Sequence, residues 1–236
     1  MGTSRGEDLA LAHRLADAAD AITLSRYQAI DLAVTTKPDN TPVTDADKSA
    51  EDAIRALLHA HRPDDGIVGE EFGTEGVERD RYWVIDPIDG TSNFLRGVPV
   101  WATLIALAID GVPVVGVVSA PALGKRWWAS KGNGAWVDES NDPLAKVPLP
   151  EGLASMIEQP MVAIAEPRRL SVSGVTTLAD ASLSYNSLQQ WDQAGYLTEL
   201  VELSRKVWRT RAYGDMWSYM MVAEGILDIA GEFDLK

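Results

Sequence analysis

Residues 83–94 of the chain read WVIDPIDGTSNF, an apolar run that leads directly into a tight turn. The apolar half predicts a β-strand that delivers Asp86 to its exposed end. Pro87 stiffens the exit from that strand, and Gly90 permits a sharp turn directly after Asp89. The sequence therefore predicts two carboxylates close together at the end of a strand.

These carboxylates favour metal-assisted chemistry on an anion. Asp86 and Asp89 are hard oxygen ligands of the kind that magnesium prefers. A helix that begins at Thr91 or the next residue would offer free backbone N–H groups and a partial positive charge to a phosphate. The same residue types also dominate ordinary turns, so the motif alone leaves both interpretations open. A calcium loop of the EF-hand type fits less well, because Ile88 and Gly97 stand where oxygen ligands are required.

Further acidic residues precede this segment. The pair Glu70–Glu71 closes a strand-like apolar stretch at residues 66–69. Glu70 would lie beside the end of the following strand if the two strands are neighbours in a sheet. Asp47 follows Thr44 at the spacing of a capping box, with Asp in place of the usual Glu. Spacing alone therefore favours a structural role, as a helix cap, for Asp47.

Composition limits the partners that the chain can have. The 236 residues are 46% hydrophobic and 24% charged, with a net charge of -14. An acidic surface repels nucleic acid and anionic membrane, so neither is an expected partner. A bound metal cation would be needed to receive an anionic substrate.

No apolar stretch approaches the roughly 18 residues that span a bilayer. The absence of cysteine excludes disulfides and thiolate sites, which fits a cytoplasmic protein.

The pattern along the chain predicts an α/β protein in two parts. Helices are expected at residues 9–30 and 45–60, before a hairpin that turns at Asp110-Gly111. Charged and proline-rich residues 138–150 predict a linker. We therefore expect an N-terminal α+β domain at residues 1–140 and an α/β domain at 141–236. Other strands are expected at 82–85, 102–109, 112–119, 126–130, 135–137, 181–185, 207–211 and 226–230, and other helices at 194–204 and 216–224.

Three motifs together resemble the inositol monophosphatase family: residues 42–47 (PVTDAD), 69–71 (GEE) and 83–94. The resemblance extends over nearly the whole chain, in order and at the expected separations. It implies a layered α-β-α-β-α sandwich, a lithium-sensitive and magnesium-dependent phosphatase activity on a small phosphate ester, and a homodimer.

Within the family, residues 94–101, 116–128 and 211–215 most resemble the histidinol-phosphate phosphatases of bacteria. This narrower resemblance implies hydrolysis of histidinol phosphate in histidine biosynthesis. An inositol or other sugar or polyol monophosphatase with the same core is the alternative. A catalytically inactive metal-binding or regulatory protein is an alternative of another class.

The resemblance also implies a metal site with two or three Mg²⁺ ions. Glu70, Asp86 and the backbone carbonyl of Ile88 would bind one ion. Asp86 and Asp89 would bind a second, and Glu70 would touch a third, looser one.

The same resemblance implies the catalytic and phosphate-binding groups. Glu70, Asp47 and Thr91 would be catalytic, with Asp47 and Thr91 orienting the attacking water. Backbone N–H groups near Gly90 and Thr91 would hold the phosphate, and Lys37 would add a positive charge nearby.

Recognition of an amine and an imidazole would require carboxylates or aromatic rings. Similar positions in relatives suggest Asp215 and Glu232, although both are also compatible with ordinary surface acids. Trp101 could stack on a ring, but its place in an apolar run favours the core.

The resemblance is incomplete at the C-terminus. Relatives continue with a Trp-Asp pair whose Asp binds the second metal, whereas this sequence ends at Lys236. Asp234 lacks that context and is not predicted to be a ligand. The expectation is that the sequence is part of a longer protein. A truncation, or a variant that uses the first metal alone, are the alternatives.

Overall fold

The computed structural model describes residues 4–37, 41–139 and 166–233. The chain forms two compact units, Met1–Arg169 and Leu170–Lys236. The expected division between residues 140 and 141 falls outside the described residues, as does most of the expected linker, so both stay predictions.

The described residues contain six α-helices and thirteen strands. The helices are α1 (Arg5–Arg26), α2 (Asp45–His61), α3 (Thr91–Arg96), α4 (Leu188–Gln193), α5 (Leu197–Ser204) and α6 (Asp215–Ala223). The strands are β1 (Val34–Thr36), β2 (Pro42–Thr44), β3 (Gly66–Gly69), β4 (Gly73–Glu75), β5 (Arg81–Asp89), β6 (Ala102–Ile109), β7 (Val112–Ala120), β8 (Lys125–Ser130), β9 (Gly134–Asp138), β10 (Arg168–Arg169), β11 (Ser182–Ser184), β12 (Arg209–Arg211) and β13 (Ile229–Ala230).

The first unit is built on an eight-stranded sheet of order β10-β9-β8-β7-β6-β5-β3-β4. Its neighbouring strands are antiparallel except for β3 and β5, which run parallel. The predicted hairpin between β6 and β7 is confirmed. Its turn residues Asp110 and Gly111 have φ values of 52° and 74°, the left-handed conformation that a tight hairpin turn requires.

Two helices pack on this sheet and form the main core with it. Leu11 and Leu15 of α1 and Ile54 of α2 are fully buried in one cluster with Trp83 of β5. Helix α1 lies four residues earlier than expected because Ser4 and Glu7 form a capping box at its start.

An ion-pair network fastens both helices to the start of β5. Asp8 of α1 is 1% exposed and accepts hydrogen bonds from Arg62 at 3.2 Å and from Arg81 at 2.6 Å. Arg81 also donates to Asp65, which in turn accepts from the indole N–H of Trp83 at 2.8 Å. The network therefore satisfies a buried carboxylate while joining three elements.

The second unit contains a three-stranded parallel sheet of order β12-β11-β13 with helices in its connections. This arrangement agrees with the predicted α/β alternation. The helix expected at 194–204 is present as α5, which ends at Ser204 as expected but begins three residues later, after Gly195 with its φ of 80°. The preceding helix α4 was not predicted.

The short strands β1, β2, β4 and β10 were not predicted. Each has only two or three residues, too few for an apolar alternation to mark them, and β1, β4 and β10 are also exposed. Across the described ranges, no helix is both long and apolar enough to cross a membrane.

Replacing Asp8 by Ala would leave two arginine side chains without their shared buried partner. We expect the free energy of unfolding to fall by about 3 kcal/mol. Urea denaturation followed by circular dichroism measures it. Asp52→Ala, at an exposed position of α2, is the control and should change stability by less than about 0.5 kcal/mol. A loss of that small size in Asp8→Ala would show that the network does not stabilise the fold.

Candidate metal centre

The parallel pair β3 and β5 brings the predicted acidic residues to one end of the sheet. Gly69 pairs with Ile85, and the N–H of Glu70 donates to the carbonyl of Ile85 at 3.1 Å. Glu70 and Asp86 therefore follow paired residues on neighbouring strands and lie side by side. The condition on which the sequence interpretation depended, that these strands are neighbours, is confirmed.

Strand β5 is longer than predicted and contains an irregularity where the motif lies. Asp86 pairs with Leu104 and Asp89 with Ala102, so β5 has one more residue here than β6. Residues three apart in a regular strand point to opposite faces, and a bulge reverses that relation. The hydroxyl of Thr103 donates to the carbonyl of Pro87 at 2.8 Å and fixes the bulge. Asp86 and Asp89 can consequently act on the same side.

The turn after β5 is held by local hydrogen bonds. The N–H of Ile88 donates to the Asp86 carboxylate at 3.0 Å. Gly90 has a φ of 85° and precedes α3, which begins at Thr91. The hydroxyl of Thr91 donates to the Ile88 carbonyl at 3.0 Å, so this carbonyl lies within the turn beside the carboxylates.

Asp47 combines the predicted cap with a place in the site. Its Oδ2 accepts from the N–H and the hydroxyl of Thr44, at 2.8 and 2.5 Å, which completes the capping box of α2. Its Oδ1 lies 3.4 Å from the hydroxyl oxygen of Thr91. Asp47 is fully buried, so the helix cap also orients a carboxylate towards Thr91.

Lys37 contacts both glutamates of the acidic pair. Its ammonium nitrogen is 2.8 Å from Glu70 Oε1 and 2.7 Å from Glu71 Oε1. Although burial alone lowers the pKa of Lys37, its hydrogen bonds to both glutamates raise it overall. The lysine is therefore positively charged and neutralises part of the acidic cluster.

The crowding of carboxylates changes their titration. Burial, followed by the charges of Glu70 and Asp89, raises the pKa of Asp86 well above its usual value. Burial also raises the pKa of Asp47, against the lowering effect of its bonds to Thr44. A site of this kind gains most from a cation, because a cation makes the ionised form of every carboxylate favourable.

The donor set fits a magnesium ion in chemistry. Three carboxylates and a backbone carbonyl are hard oxygen donors, and none is a nitrogen or sulfur ligand. Within the described part of the chain, however, no three acidic or histidine side chains already converge as metal ligands. The Glu70 carboxylate is engaged by Lys37 instead.

The residues suggested for substrate recognition lie in the second unit. Glu232 accepts hydrogen bonds from the hydroxyl of Tyr219 and the amide of Asn186. Asp215 begins α6 with a φ of 54°, and its carbonyl accepts from Ser218 at 3.2 Å. Glu232 is thus a carboxylate oriented by two neutral donors. Asp234 lies outside the described residues.

Trp101 belongs to the core rather than to an open pocket. It is fully buried, with ring centroids 4.9 Å from Phe94 and 5.3 Å from Tyr27. Ile88 packs in the same cluster, so these rings support the turn that carries the acidic motif.

Comparison with known proteins agrees with this geometry. A model of the inositol monophosphatase family matches residues 5–236. The chain belongs to this family. The family resemblance and the α/β fold expected from the sequence are therefore confirmed.

Two relatives and one solved structure illustrate the likeness. A histidinol-phosphatase from Streptomyces coelicolor is 53% identical over 98% of this chain and 79% of its own length. A histidinol-phosphatase from Mycobacterium tuberculosis is 50% identical over 96% of this chain and 78% of its own length. The structure of an inositol monophosphatase from Zymomonas mobilis is 31% identical, with a TM-score of 0.75 over 100% of this chain and 79% of that one.

Sequence reasoning missed Glu51, which is fully buried in α2 and bonds to the backbone after Glu70. A glutamate inside an otherwise amphipathic helix gives no signal for this. Only its position four residues after Asp47, on the same helix face, could have suggested it.

Replacing Asp86 by Asn should stabilise the metal-free protein at neutral pH. Because the pKa of Asp86 is raised on folding, its stabilising effect is present below the pKa of the unfolded chain and is lost as pH rises through the folded pKa. In EDTA at pH 8 we expect a gain of roughly 1 kcal/mol in the free energy of unfolding. The gain should vanish near pH 4.

Thermal unfolding across this pH range measures the effect. Asp64→Asn, at an exposed position, is the matched control and should show no such pH dependence. If the free energy of unfolding at pH 8 were lower for Asp86→Asn than for the unmodified protein, ionised Asp86 would not be unfavourable, and the interpretation from burial and neighbouring negative charges would be contradicted.

Proposed function

We propose that the protein is a magnesium-dependent phosphatase that hydrolyses histidinol phosphate to histidinol and inorganic phosphate. The observation that carries the reaction type is the set of Glu70, Asp86 and Asp89 at the carboxyl ends of a parallel strand pair. The substrate rests on the two histidinol-phosphatases that match almost the whole chain.

Four groups would hold the metal. These are the carboxylates of Glu70, Asp86 and Asp89 and the carbonyl of Ile88, with two or three Mg²⁺ ions proposed in all. When bound, magnesium lowers the pKa of water and neutralises charge on phosphate oxygens. For Glu70 to serve as a ligand, its carboxylate must give up or share the contact with Lys37. Lys37 would then remain as a cation beside the metal-binding carboxylates and would add positive charge for the phosphate.

Asp47 and Thr91 would orient the attacking water. The Thr91 hydroxyl is fixed between the Ile88 carbonyl and Asp47 Oδ1, so its oxygen is held in one position. Asp47 is in turn fixed by Thr44. This rigidity favours in-line attack on phosphorus, the main requirement of phosphoryl transfer. The ester P–O bond breaks, and histidinol leaves as the alcohol.

The remaining assignments complete the proposal. Gly90 and Thr91 would bind the phosphate through their N–H groups, since the left-handed Gly90 turns the chain there. Asp215 and Glu232 would bind the amine and imidazole. Two donors already orient Glu232, which leaves its negative charge available to a cationic group.

Assembly and location belong to the same proposal. The family resemblance supports a homodimer, and the lack of cysteine supports a cytoplasmic protein. Light scattering after size-exclusion chromatography measures the molar mass. A mass of one chain at micromolar concentration would contradict the dimer.

Phosphate release in the presence of Mg²⁺ tests the function. We expect kcat/KM for histidinol phosphate to exceed that for inositol 1-phosphate by at least about tenfold, because a hydrogen-bonding site discriminates strongly. EDTA should abolish turnover, and Asp86→Asn should lower kcat by roughly 1000-fold.

The other outcomes separate the alternatives. A preference for the inositol ester would keep the mechanism and replace the substrate. Absence of release from any phosphomonoester at saturating Mg²⁺ would support a catalytically inactive metal-binding protein.

A further inference from the structure

A buried carboxylate lies directly behind the loop that carries Glu70. Residues 70–72 connect β3 to β4, whose first pair is Gly69 with Gly73. Glu51 Oε2 accepts from the N–H of Glu71 at 2.7 Å, and its Oε1 accepts from the N–H of Phe72 at 3.3 Å. One side chain of α2 therefore satisfies two of the three N–H groups in the loop, and the third, that of Glu70, donates to β5.

Arg55 completes this arrangement. It lies one helical turn after Glu51, and its Nε donates to Glu51 Oε1 at 2.8 Å. Its Nη2 donates to the carbonyl of Gly73, the residue that follows the loop. Glu51 is fully buried and the Arg55 side chain is 11% exposed, so the pair is shielded from water. The loop is thus held through its N–H groups by Glu51 and through a carbonyl by Arg55.

The fit between loop and clamp is tight. A Cβ atom at position 69 would overlap the Glu51 carboxylate and approach Nη2 of Arg55. Only glycine therefore lets β3 come this close to the pair. The contact between β3 and α2 therefore requires glycine at position 69 and the Glu51–Arg55 pair opposite it. A solvated ion pair on the surface would place no such requirement on its neighbours.

We propose that Glu51, supported by Arg55, is a positioning residue that sets the metal affinity of Glu70. The inference rests on the proposed function, because it takes Glu70 as a metal ligand. A carboxylate on a three-residue loop can serve as a ligand only if the loop backbone is fixed. Glu51 fixes that backbone without touching the metal or the substrate.

Loss of this support has a defined consequence. Residues that orient metal ligands from behind typically change metal affinity by about 10–100-fold when replaced. In Glu51→Gln, one oxygen acceptor becomes a donor, so it would face either a loop N–H or Arg55 with the wrong polarity. The loop, and Glu70 with it, then samples several positions.

Binding of Mn²⁺ alone, followed by electron paramagnetic resonance, tests the proposal without substrate. We expect Glu51→Gln to weaken Mn²⁺ binding by at least tenfold while circular dichroism shows a folded protein. Gly69→Ala, which displaces Glu51 from the other side, should weaken binding comparably. Both changes disrupt the same contact between position 69 and Glu51. The double variant should therefore bind Mn²⁺ no more weakly than whichever single variant binds it less tightly.

Activity supplies a second readout. The Mg²⁺ concentration for half-maximal rate should rise in both variants, whereas KM for the substrate at saturating Mg²⁺ should stay within about twofold. Glu75→Gln is the matched control, since Glu75 contacts Arg55 at 3.6 Å and is half exposed on the same hairpin. Its Mn²⁺ affinity should equal that of the unmodified protein.

The failures of the two proposals are distinguishable. Unchanged Mn²⁺ affinity in Glu51→Gln and Gly69→Ala, with the unmodified protein binding Mn²⁺ normally, would overturn the positioning role alone. Additive losses in the double variant would also overturn it, because they would indicate general destabilisation. Failure of the unmodified protein to bind Mn²⁺ would overturn the proposed function and this inference with it.

Discussion

Repulsion between carboxylates gathered at one end of β3 and β5 is the constraint on which the first unit depends. Burial and neighbouring charges raise the pKa of Asp86, so the ionised site is unfavourable without a cation. The surrounding structure holds the groups together against this repulsion. The parallel pairing sets Glu70, the bulge sets Asp89, and the cap of α2 sets Asp47. The strand pairing, the bulge and the helix cap therefore each hold a carboxylate close to others of the same charge.

The two ends of β5 are stabilised by opposite means. At its start, Arg81 is paired with Asp8 and Asp65 in a network where each charge has a partner. At its end, acidic groups face one another, and Lys37 is the cation observed on Glu70. Charges are thus paired at the start of β5, whereas like charges face one another at its end. Unfavourable electrostatics of this kind are expected where function conflicts with stability.

Much of this organisation could be predicted from sequence, for physical reasons that differ between elements. The β6–β7 hairpin was predictable because Asp110-Gly111 separates two long apolar runs. The acidic motif was predictable because Asp86 directly follows the apolar run at residues 83–85. The bulge was not, since it depends on pairing with β6. Nor was Glu51, because a buried polar residue in a helix is explained only by the loop that packs on it. Helix α4 was missed because it has only six residues and none of them is buried, so no apolar stripe marks it.

The acidic groups of the site all come from one uninterrupted stretch of chain, Asp47 to Asp89, and the contacts among α2, β3 and β5 lie within it. Local contacts form faster than distant ones, and chains emerge from the ribosome N-terminus first. Because the core around this stretch also needs α1 and the bulge needs β6, the site can be assembled once β6 has been synthesised, while the second unit is still to come.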